Sequence, residues 1–590
     1  MFSHMKFKST NTLAVGILIL AGFTLYANTL PNAMFWDDND FILRNAFVQN
    51  AEVGKFFTEN VIAGAGLISN YWRPVLLLVF SVQWHLFHAW TPGYHFINMS
   101  VHIADGVLLF FILLRLFGRR DLALGAAAIF LAHPLATEAV AYVNSLGDSL
   151  SALFMFSGIL LFQKKYRVWP LVMYCLALMS KETAIVMPAL LFLIIFFSEK
   201  QESCRELSEN PPVFSVRKRL ASAAKKIWPY LLIAALYVFL RATVLNFQNT
   251  FNLLNDHTIF TQSVVVRVLT FFRILAVYAG LLFWPSRLHM ERTVEISTVA
   301  WHGDVFWGGA IFMGLFLSAV LARKRWPVVS FGFLWFLVAL APTSNIAVPI
   351  NGLLYEHWLY VPLIGIFLAI LWVGIRISEI YPNAKIALPA FFCLILFAFG
   401  IRTVLRNADW RDPIEFYIKT LAYAPASYRL WNNLGMTYAE RHEYQSAEDA
   451  YQKAIALDPH SSAGFYNLAN VYRDTGKADE AIAYYKKSLA ADPKFFYAED
   501  SLLSVYLNQK EYAEARKLLE AYVGEERKDA GTFFSLFQIA MRQNDYRGAM
   551  AYLKHALSLA PDDPILLRAY ADTTQLWRLS IDTASSSPVR

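Results

Sequence analysis

The chain has little cysteine and little charge for its length. Its three cysteines, Cys175, Cys204 and Cys393, have no ligand-like spacing among 590 residues, which argues against a disulfide framework and a zinc site. Charged residues make up 16% of the chain and apolar residues 57%, a composition that excludes an ordinary soluble protein. The sequence also lacks a glycine-rich phosphate loop and a nucleophile elbow, which argues against soluble nucleotide chemistry.

The apolar residues are concentrated before about residue 405, in runs long enough to cross a bilayer. The stretch 263–284 contains Arg267 and Arg273, so we expect it to be re-entrant or interfacial. The remaining runs predict an all-α membrane domain with about eleven spans. These lie near 12–30, 96–117, 121–136, 147–163, 168–180, 183–198, 227–245, 304–322, 327–341, 358–376 and 386–404.

Lysine and arginine alternate from loop to loop, as they do in membrane proteins whose cytoplasmic loops are positive. The loops 134–147 and 342–357 contain neither residue and are predicted to lie outside. We therefore expect a cytoplasmic N-terminus and an extracytoplasmic C-terminal part. If 263–284 crossed the membrane completely, the C-terminal part would lie in the cytoplasm instead.

Four segments of the C-terminal part share a period of 34 residues, the length of a tetratricopeptide repeat. We predict a membrane domain over 1–406, a connecting helix or partial repeat over 407–427, repeats with a capping helix over 428–579, and a disordered tail over 580–590. Such a solenoid usually holds an extended peptide or a partner protein. In the first repeat the pattern residues are Trp431, Leu434, Gly435, Tyr438, Ala447, Tyr451, Ala454 and Pro459.

An acidic cluster, Asp37, Asp38 and Asp40, follows the first predicted span. Carboxylates at the mouth of a membrane helix cost free energy and are therefore a functional hypothesis. The alternative is a cap on a short surface helix.

Other polar residues fall at the predicted outer ends of helices. For each one alone, an ion pair or a helix cap is the simpler explanation, but their convergence on one side favours a shared site. His95 and His102 are two turns apart with no ligand between them, so we predict no metal there. The acidic cluster is also compatible with a divalent cation, and no other cofactor is implied. The outer polar residues are Asn45, Tyr71, Arg73, His95, Glu138, Asp148, Lys181, Glu182, Asn345, Glu356 and His357.

These residues suit transfer from a lipid phosphate. The donor needs an apolar groove and cations that stabilise the leaving phosphate, which Arg73, Lys181, His357 and Arg267 would supply. A hydroxyl acceptor needs a carboxylate base, either Asp37 or Asp38.

The order of the motifs resembles the transmembrane and tetratricopeptide-repeat O-mannosyltransferases over nearly the whole chain. These are C-type, multi-span glycosyltransferases that use polyprenyl-phosphate sugars. Two positions depart from the family pattern: Trp72 is inserted into a Tyr-Arg-Pro element, and His357 stands in place of an arginine. The matching elements are Asp37, Asp38, Ile42 and Asn45; Tyr71, Arg73 and Pro74; His133, Pro134, Thr137, Glu138, Ala139 and Val140; Lys181 and Glu182; Pro342, Ser344 and Asn345; and Glu356, Leu359, Tyr360 and Pro362.

The resemblance implies an inverting glycosyltransferase with its base at Asp37 or Asp38. It would move a sugar, mannose by analogy, from polyprenyl phosphate to Ser or Thr hydroxyls of extracytoplasmic proteins, with the repeats engaging the acceptor. The short repeat array resembles a bacterial relative, which places the chain in an inner membrane; no nucleic-acid partner is implied. Two alternatives stay open: a non-catalytic scaffold that recruits partners for envelope or polysaccharide assembly, and transfer to a glycan or lipid.

Overall fold

The computed structural model describes residues 2–205, 216–247, 258–350, 352–525 and 529–585. Every regular element within these ranges is a helix, as the all-α prediction requires, and no β-strand occurs among them. The chain divides into two compact units, Met1–Ala424 and Pro425–Arg590.

The first unit is built from long apolar helices with short helices between them. Its α-helices are α1 (Phe2–Tyr26), α2 (Ala46–Gln49), α3 (Val53–Thr58), α4 (Pro74–Phe87), α5 (Thr91–Phe117), α6 (Arg120–Ala132), α7 (Thr137–Ala141), α8 (Leu146–Gln163), α9 (Trp169–Ser180), α10 (Met187–Arg205), α11 (Val216–Ala242), α12 (Ile259–Gln262), α13 (Val264–Phe283), α14 (Gly303–Ala322), α15 (Pro327–Leu340), α16 (Leu363–Ile380), α17 (Ala384–Ala408) and α18 (Pro413–Leu421).

Eight candidate membrane spans are found among the described residues, or nine if the bent pair Arg120–Ala132 and Pro134–Ala141 forms one span. This is fewer than the eleven or so expected, because three predicted spans are shorter apolar helices: Trp169–Ser180, Glu182–Ser198 and Pro327–Thr343. Conversely, α13 is one unbroken helix of 20 residues with the length and composition of a span, so 263–284 is not a re-entrant loop, and an interfacial position stays a prediction. The candidate spans are Asn11–Thr29, Thr91–Phe117, Val143–Gln163, Ala221–Ala242, Val264–Phe283, Gly303–Ala322, Leu363–Ile380 and Ala384–Ala408.

Glycines allow two of the membrane helices to touch along their backbones. A Cβ atom on Gly332 of α15 would collide with the carbonyl oxygen of Gly365 on α16, and a Cβ atom on Gly365 would collide with that of Gly332. Close approach at small residues is a common way for membrane helices to associate. The α15–α16 pair therefore depends on both positions lacking a side chain.

The second unit is a row of antiparallel helix pairs at the predicted period. Ser427, Ser461 and Asp529 occupy equivalent N-cap positions, and each side chain accepts a backbone N–H of the helix it begins. The last helix continues to Ser585, which corrects the expected start of the tail at 580; residues 586–590 lie outside the described ranges. The helices are α19 (Tyr428–Glu440), α20 (Tyr444–Leu457), α21 (Ser462–Asp474), α22 (Ala478–Ala491), α23 (Phe496–Asn508), α24 (Tyr512–Glu525), α25 (Ala530–Arg542), α26 (Tyr546–Leu559) and α27 (Pro564–Ser585).

Candidate functional site

The acidic cluster lies on the loop between α1 and α2, and its two candidate bases have different surroundings. The Asp38 side chain is buried, and its two carboxylate oxygens accept the backbone N–H groups of Phe35 (3.1 Å) and Asn144 (2.8 Å). Asp37 is half-buried, and its backbone N–H donates to Tyr142 Oη at 3.1 Å. Asp38 therefore joins this loop to the loop before α8, while Asp37 keeps access to solvent.

The burial of Asp38 also changes the pKa of its carboxyl group. Burial raises the pKa of Asp38 well above its usual range, and the negative charge of Asp37 adds to the rise. The N–H groups of Phe35 and Asn144 oppose it by stabilising the carboxylate. Asp38 therefore has a backbone contact at each carboxylate oxygen, an environment that differs from that of the half-buried Asp37.

Of the four residues predicted to hold a phosphate, Arg73, Lys181 and His357 each contact a predicted carboxylate. Arg73 makes a bidentate contact with Glu182, with Nη2–Oε1 at 2.6 Å and Nε–Oε2 at 3.0 Å. The structure thus brings Arg73 and Glu182 together as an ion pair.

The second and third pairs are equally close. Lys181 Nζ lies 2.7 Å from Asp148 Oδ2, and the exposed fractions of the two side chains are 9% and 8%. His357 Nδ1 lies 2.8 Å from Glu138 Oε1, and the backbone N–H of His357 donates to Glu138 Oε2 at 3.2 Å. Buried pairs of this kind are costly to desolvate and are retained where position matters more than stability.

A cleft beside two of these pairs encloses about 410 Å³ of space, part of it open to solvent. Its lining is mixed, with polar side chains such as Asp148, Thr183 and His357 and apolar ones such as Met155 and Val186. The combination of apolar walls with a few polar groups is typical of ligand sites. The lining residues are Asp148, Ser151, Met155, Thr183, Val186, Ala339, Thr343, His357, Trp358, Tyr360, Val361 and Pro362.

Tyr71 links the acidic loop to the ion pairs. The Arg73 guanidinium lies 4.5 Å from the centre of the Tyr71 ring. Burial raises the pKa of Tyr71 to about 12, and the charges of Glu182 and Asp37 contribute to the rise. Tyr71 thus lies against the Arg73–Glu182 pair, and the charge of Asp37 also acts on it.

Three other predicted residues have structural contacts. Asn45 caps α2 by accepting the N–H of Val48 at 3.3 Å, and His95 is buried with Nε2 at 3.1 Å from the carbonyl oxygen of Asn32. Asn345 folds its own loop by accepting the N–H of Ile350 at 2.7 Å. Asn45 and Asn345 thus shape their own loops, and His95 joins α5 to the segment after α1.

Arg267, also considered as a phosphate ligand, donates to backbone carbonyl oxygens of Thr261 (2.7 Å) and Ile346 (3.1 Å). It therefore holds loops together. Within the ranges that the structure describes, no group of three or more His, Cys, Asp or Glu side chains is arranged to hold a metal ion.

Glu356 is buried in a cluster that the sequence did not indicate. Its Oε1 accepts the backbone N–H of His289 (2.7 Å) and Nη2 of Arg292 (2.9 Å), and Oε2 lies 3.8 Å from Nη2 of Arg406. Burial raises the pKa of Glu356, and the two arginines oppose the rise. The arginines went unnoticed because a Lys/Arg excess near membrane helices is ordinarily an anchoring feature.

A second buried network was also missed. The Tyr360 hydroxyl donates to Asp105 Oδ2 at 2.8 Å and lies 2.7 Å from Nδ1 of His102. A carboxylate inside a membrane helix is by itself a hypothesis of a functional residue. Asp105 in α5 could have been found on that ground.

Known proteins are similar to this chain both in its repeats and over most of its length. Models of the tetratricopeptide repeat match residues 428–461, 462–495 and 538–563. The chain is 24% identical to "Protein O-mannosyl-transferase Tmtc1" of Drosophila melanogaster over 518 residues, covering 72% of this chain and 59% of the relative. It is also 24% identical to "Protein O-mannosyl-transferase TMTC3" of Mus musculus over 470 residues, covering 75% of this chain and 51% of the relative. The chain thus spans between half and two thirds of the length of these relatives.

Among solved structures, the chain matches tetratricopeptide-repeat proteins over part of its length. A crystal structure of MamA covers 25% of this chain and 79% of that chain, with 22% identity and a TM-score of 0.23. YrrB, described as a TPR protein with an unusual peptide-binding site, covers 30% of this chain and 88% of that chain, with 19% identity and a TM-score of 0.23.

Proposed function

We propose, from its similarity to protein O-mannosyl-transferases, that this chain is an inverting membrane glycosyltransferase. It moves a sugar, mannose by analogy, from a polyprenyl-phosphate donor to Ser or Thr hydroxyls of proteins. The observation that supports the proposal is the half-buried carboxylate of Asp37 in the same unit as the Arg73–Glu182 and Lys181–Asp148 pairs. We infer that the base and the cations belong to one site.

The proposed reaction is one displacement. The Asp37 carboxylate accepts the proton of the acceptor hydroxyl. At the same time, the hydroxyl oxygen of the acceptor attacks the anomeric carbon of the sugar. The bond from that carbon to the phosphate oxygen breaks, and the phosphate leaves with the electron pair. A single displacement inverts the anomeric centre, so one base is sufficient.

The paired cations suit the leaving phosphate even though each is partly neutralised. An arginine has five N–H donors and Glu182 takes two of those on Arg73; a lysine has three and Asp148 takes one on Lys181. The carboxylates therefore fix the direction of both cations and leave further donor capacity for phosphate oxygens. His357 contributes an imidazole to the wall of the cleft.

We assign the transfer to the first unit and recognition of the acceptor protein to the repeats. The apolar walls formed by Met155, Val186 and Ala339 suit the lipid chain of the donor. The chain would lie in a bacterial inner membrane with a cytoplasmic N-terminus and the repeats outside; a crossing by α13 would place the repeats on the other side.

The direct test is sugar transfer by the purified full chain in detergent, with polyprenyl-phosphate mannose as donor and a Ser/Thr-rich extracytoplasmic protein as acceptor. We expect transfer and a raised unfolding temperature with donor, since a ligand at a hundredfold excess over its Kd adds about 2.7 kcal/mol of stability. The absence of both sugar transfer and donor protection would favour the non-catalytic scaffold. Protection without transfer to protein would point to a glycan or lipid acceptor.

A further inference from the structure

The segment that follows the last membrane helix belongs structurally to the acidic loop. Trp410, Phe416 and Tyr417 are at most 2% exposed, and we call these three residues the aromatic clamp. The Phe35 ring centre lies 5.1 Å from that of Phe416, 5.8 Å from that of Tyr417 and 5.9 Å from that of Trp410. The clamp therefore packs directly against the start of the loop that bears Asp37.

The clamp also holds the residue before Asp37 in an unfavourable backbone conformation. Trp36 has a φ of +61°, in the left-handed region, where a Cβ atom meets steric resistance. Such a conformation persists only where the surroundings determine it. The Trp36 ring lies 5.5 Å from that of Tyr417 and 6.3 Å from that of Phe416, centre to centre, so the clamp provides those surroundings.

A second route joins the clamp to Asp37. Trp410 stacks on Tyr142, with ring centres 5.2 Å apart and planes at 20°. The Tyr142 hydroxyl oxygen in turn accepts the backbone N–H of Asp37 at 3.1 Å. The position of Asp37 thus depends on the clamp through its preceding residue and through its own N–H.

We propose that the aromatic clamp positions Asp37 for proton abstraction, an inference that rests on the proposed function. Residues 410–417 would then be part of the catalytic machinery of the first unit, although the sequence suggested a connecting helix or partial repeat there. The three side chains are positioning residues, because they act through the acidic loop.

The experiment uses full-length variants that remove rings from this contact. Phe416→Leu and Trp36→Leu should each lower kcat by about 10- to 100-fold with the KM for donor unchanged, because small misplacement of a catalytic group is costly. Trp36→Phe keeps a ring and should recover most of the rate. The matched control is Phe312→Leu, which removes a ring packed against Phe272 in the same unit and should leave kcat near that of the wild type.

Two further readouts separate positioning from general damage. In an Asp37→Asn background, Phe416→Leu should cause no further loss, since residues acting through one group are not additive. Hydrogen–deuterium exchange of amides in residues 35–40 should be faster in Phe416→Leu and unchanged in Phe312→Leu. This exchange measurement requires no transferase activity, so it tests the clamp even if the proposed function fails.

Unchanged exchange at 35–40 in both Phe416→Leu and Trp36→Leu would overturn the clamp. Faster exchange with an unchanged kcat would overturn its positioning role, as would an additive loss in the Asp37→Asn background. Absence of transfer by the wild type would instead contradict the proposed function.

Discussion

The first unit contains buried ion pairs as well as solvated ones, whereas the ion pairs described in the second unit are solvated. In the first unit, the side chains of Lys181 and Asp148 are 9% and 8% exposed. In the second unit, Arg516 pairs with Glu520 and Asp545, and these side chains are between 28% and 45% exposed. Solvated pairs contribute little, whereas buried ones need a compensating reason to persist. Among the described residues, the buried ion pairs thus lie in the first unit, where we propose the transfer site.

The largest expected effect comes from breaking a buried pair. Lys181→Met should destabilise the first unit by about 3–5 kcal/mol because it leaves the Asp148 carboxylate buried without its cation. The double variant Lys181→Met/Asp148→Leu should recover most of this loss. Denaturant unfolding of the full chain in detergent measures both changes.

The matched control is Arg516→Met in the repeats, with an expected change of about 0–1 kcal/mol. If Lys181→Met cost no more than Arg516→Met, the contrast between the units would disappear.

A smaller effect is expected from glycines that face a neighbouring helix. A Cβ atom on Gly365 would meet the backbone of α15, so Gly365→Ala should separate the helices and cost about 1–3 kcal/mol. In the repeats, a Cβ atom on Gly435 would lie 2.7 Å from the Tyr451 ring, a side chain that has some freedom to shift. Alanine also favours the helix by up to about 1 kcal/mol, so Gly435→Ala should be milder. Equal losses in unfolding free energy would mean that backbone contact is not what distinguishes the first unit.

The smallest effect concerns pH. Burial, aided by Arg292, lowers the pKa of His289 to about 4 from an ordinary value near 6.5. As pH falls, His289 is therefore protonated at a higher pH in the unfolded chain than in the folded one. The free energy of unfolding should fall as pH drops from about 6.5 to about 4. His289→Phe keeps a ring against Tyr423, whose centre is 4.6 Å away, and removes the titration. At pH 5 we expect the wild type to lose on the order of 1–2 kcal/mol more than the variant, relative to pH 7. Parallel pH profiles of the two proteins would contradict this.

The fold was predictable because its signals are periodic. The 34-residue register identified the repeats, and long apolar runs identified most of the membrane helices. The helix α4 was not predicted, although it is no shorter than the predicted span 168–180. For α13, the charges of Arg267 and Arg273 were given more weight than its length, which is sufficient for a span.

The predicted residues include the members of three close pairs, but the sequence did not indicate which residue pairs with which. Glu138 and His357 were both predicted, but they are 219 residues apart and nothing local indicates that they pair. The choice between Asp37 and Asp38 depends on which carboxylate Asn144 contacts, and that contact forms only when the helices assemble. The role of Trp410 was also missed, because an aromatic residue after a membrane helix is ordinarily interpreted as an interface anchor.

The most direct measurement compares transfer rates of three single variants of the acidic cluster, Asp37→Asn, Asp38→Asn and Asp40→Asn. Loss of a general base lowers kcat by about 10²- to 10⁴-fold, and we expect that loss in Asp37→Asn with donor protection against unfolding retained. Asp40→Asn should transfer near the wild-type rate, and Asp38→Asn should lose stability because its buried carboxylate joins two loops. A rate for Asp37→Asn within about tenfold of the wild type would remove Asp37 from the mechanism and contradict the account.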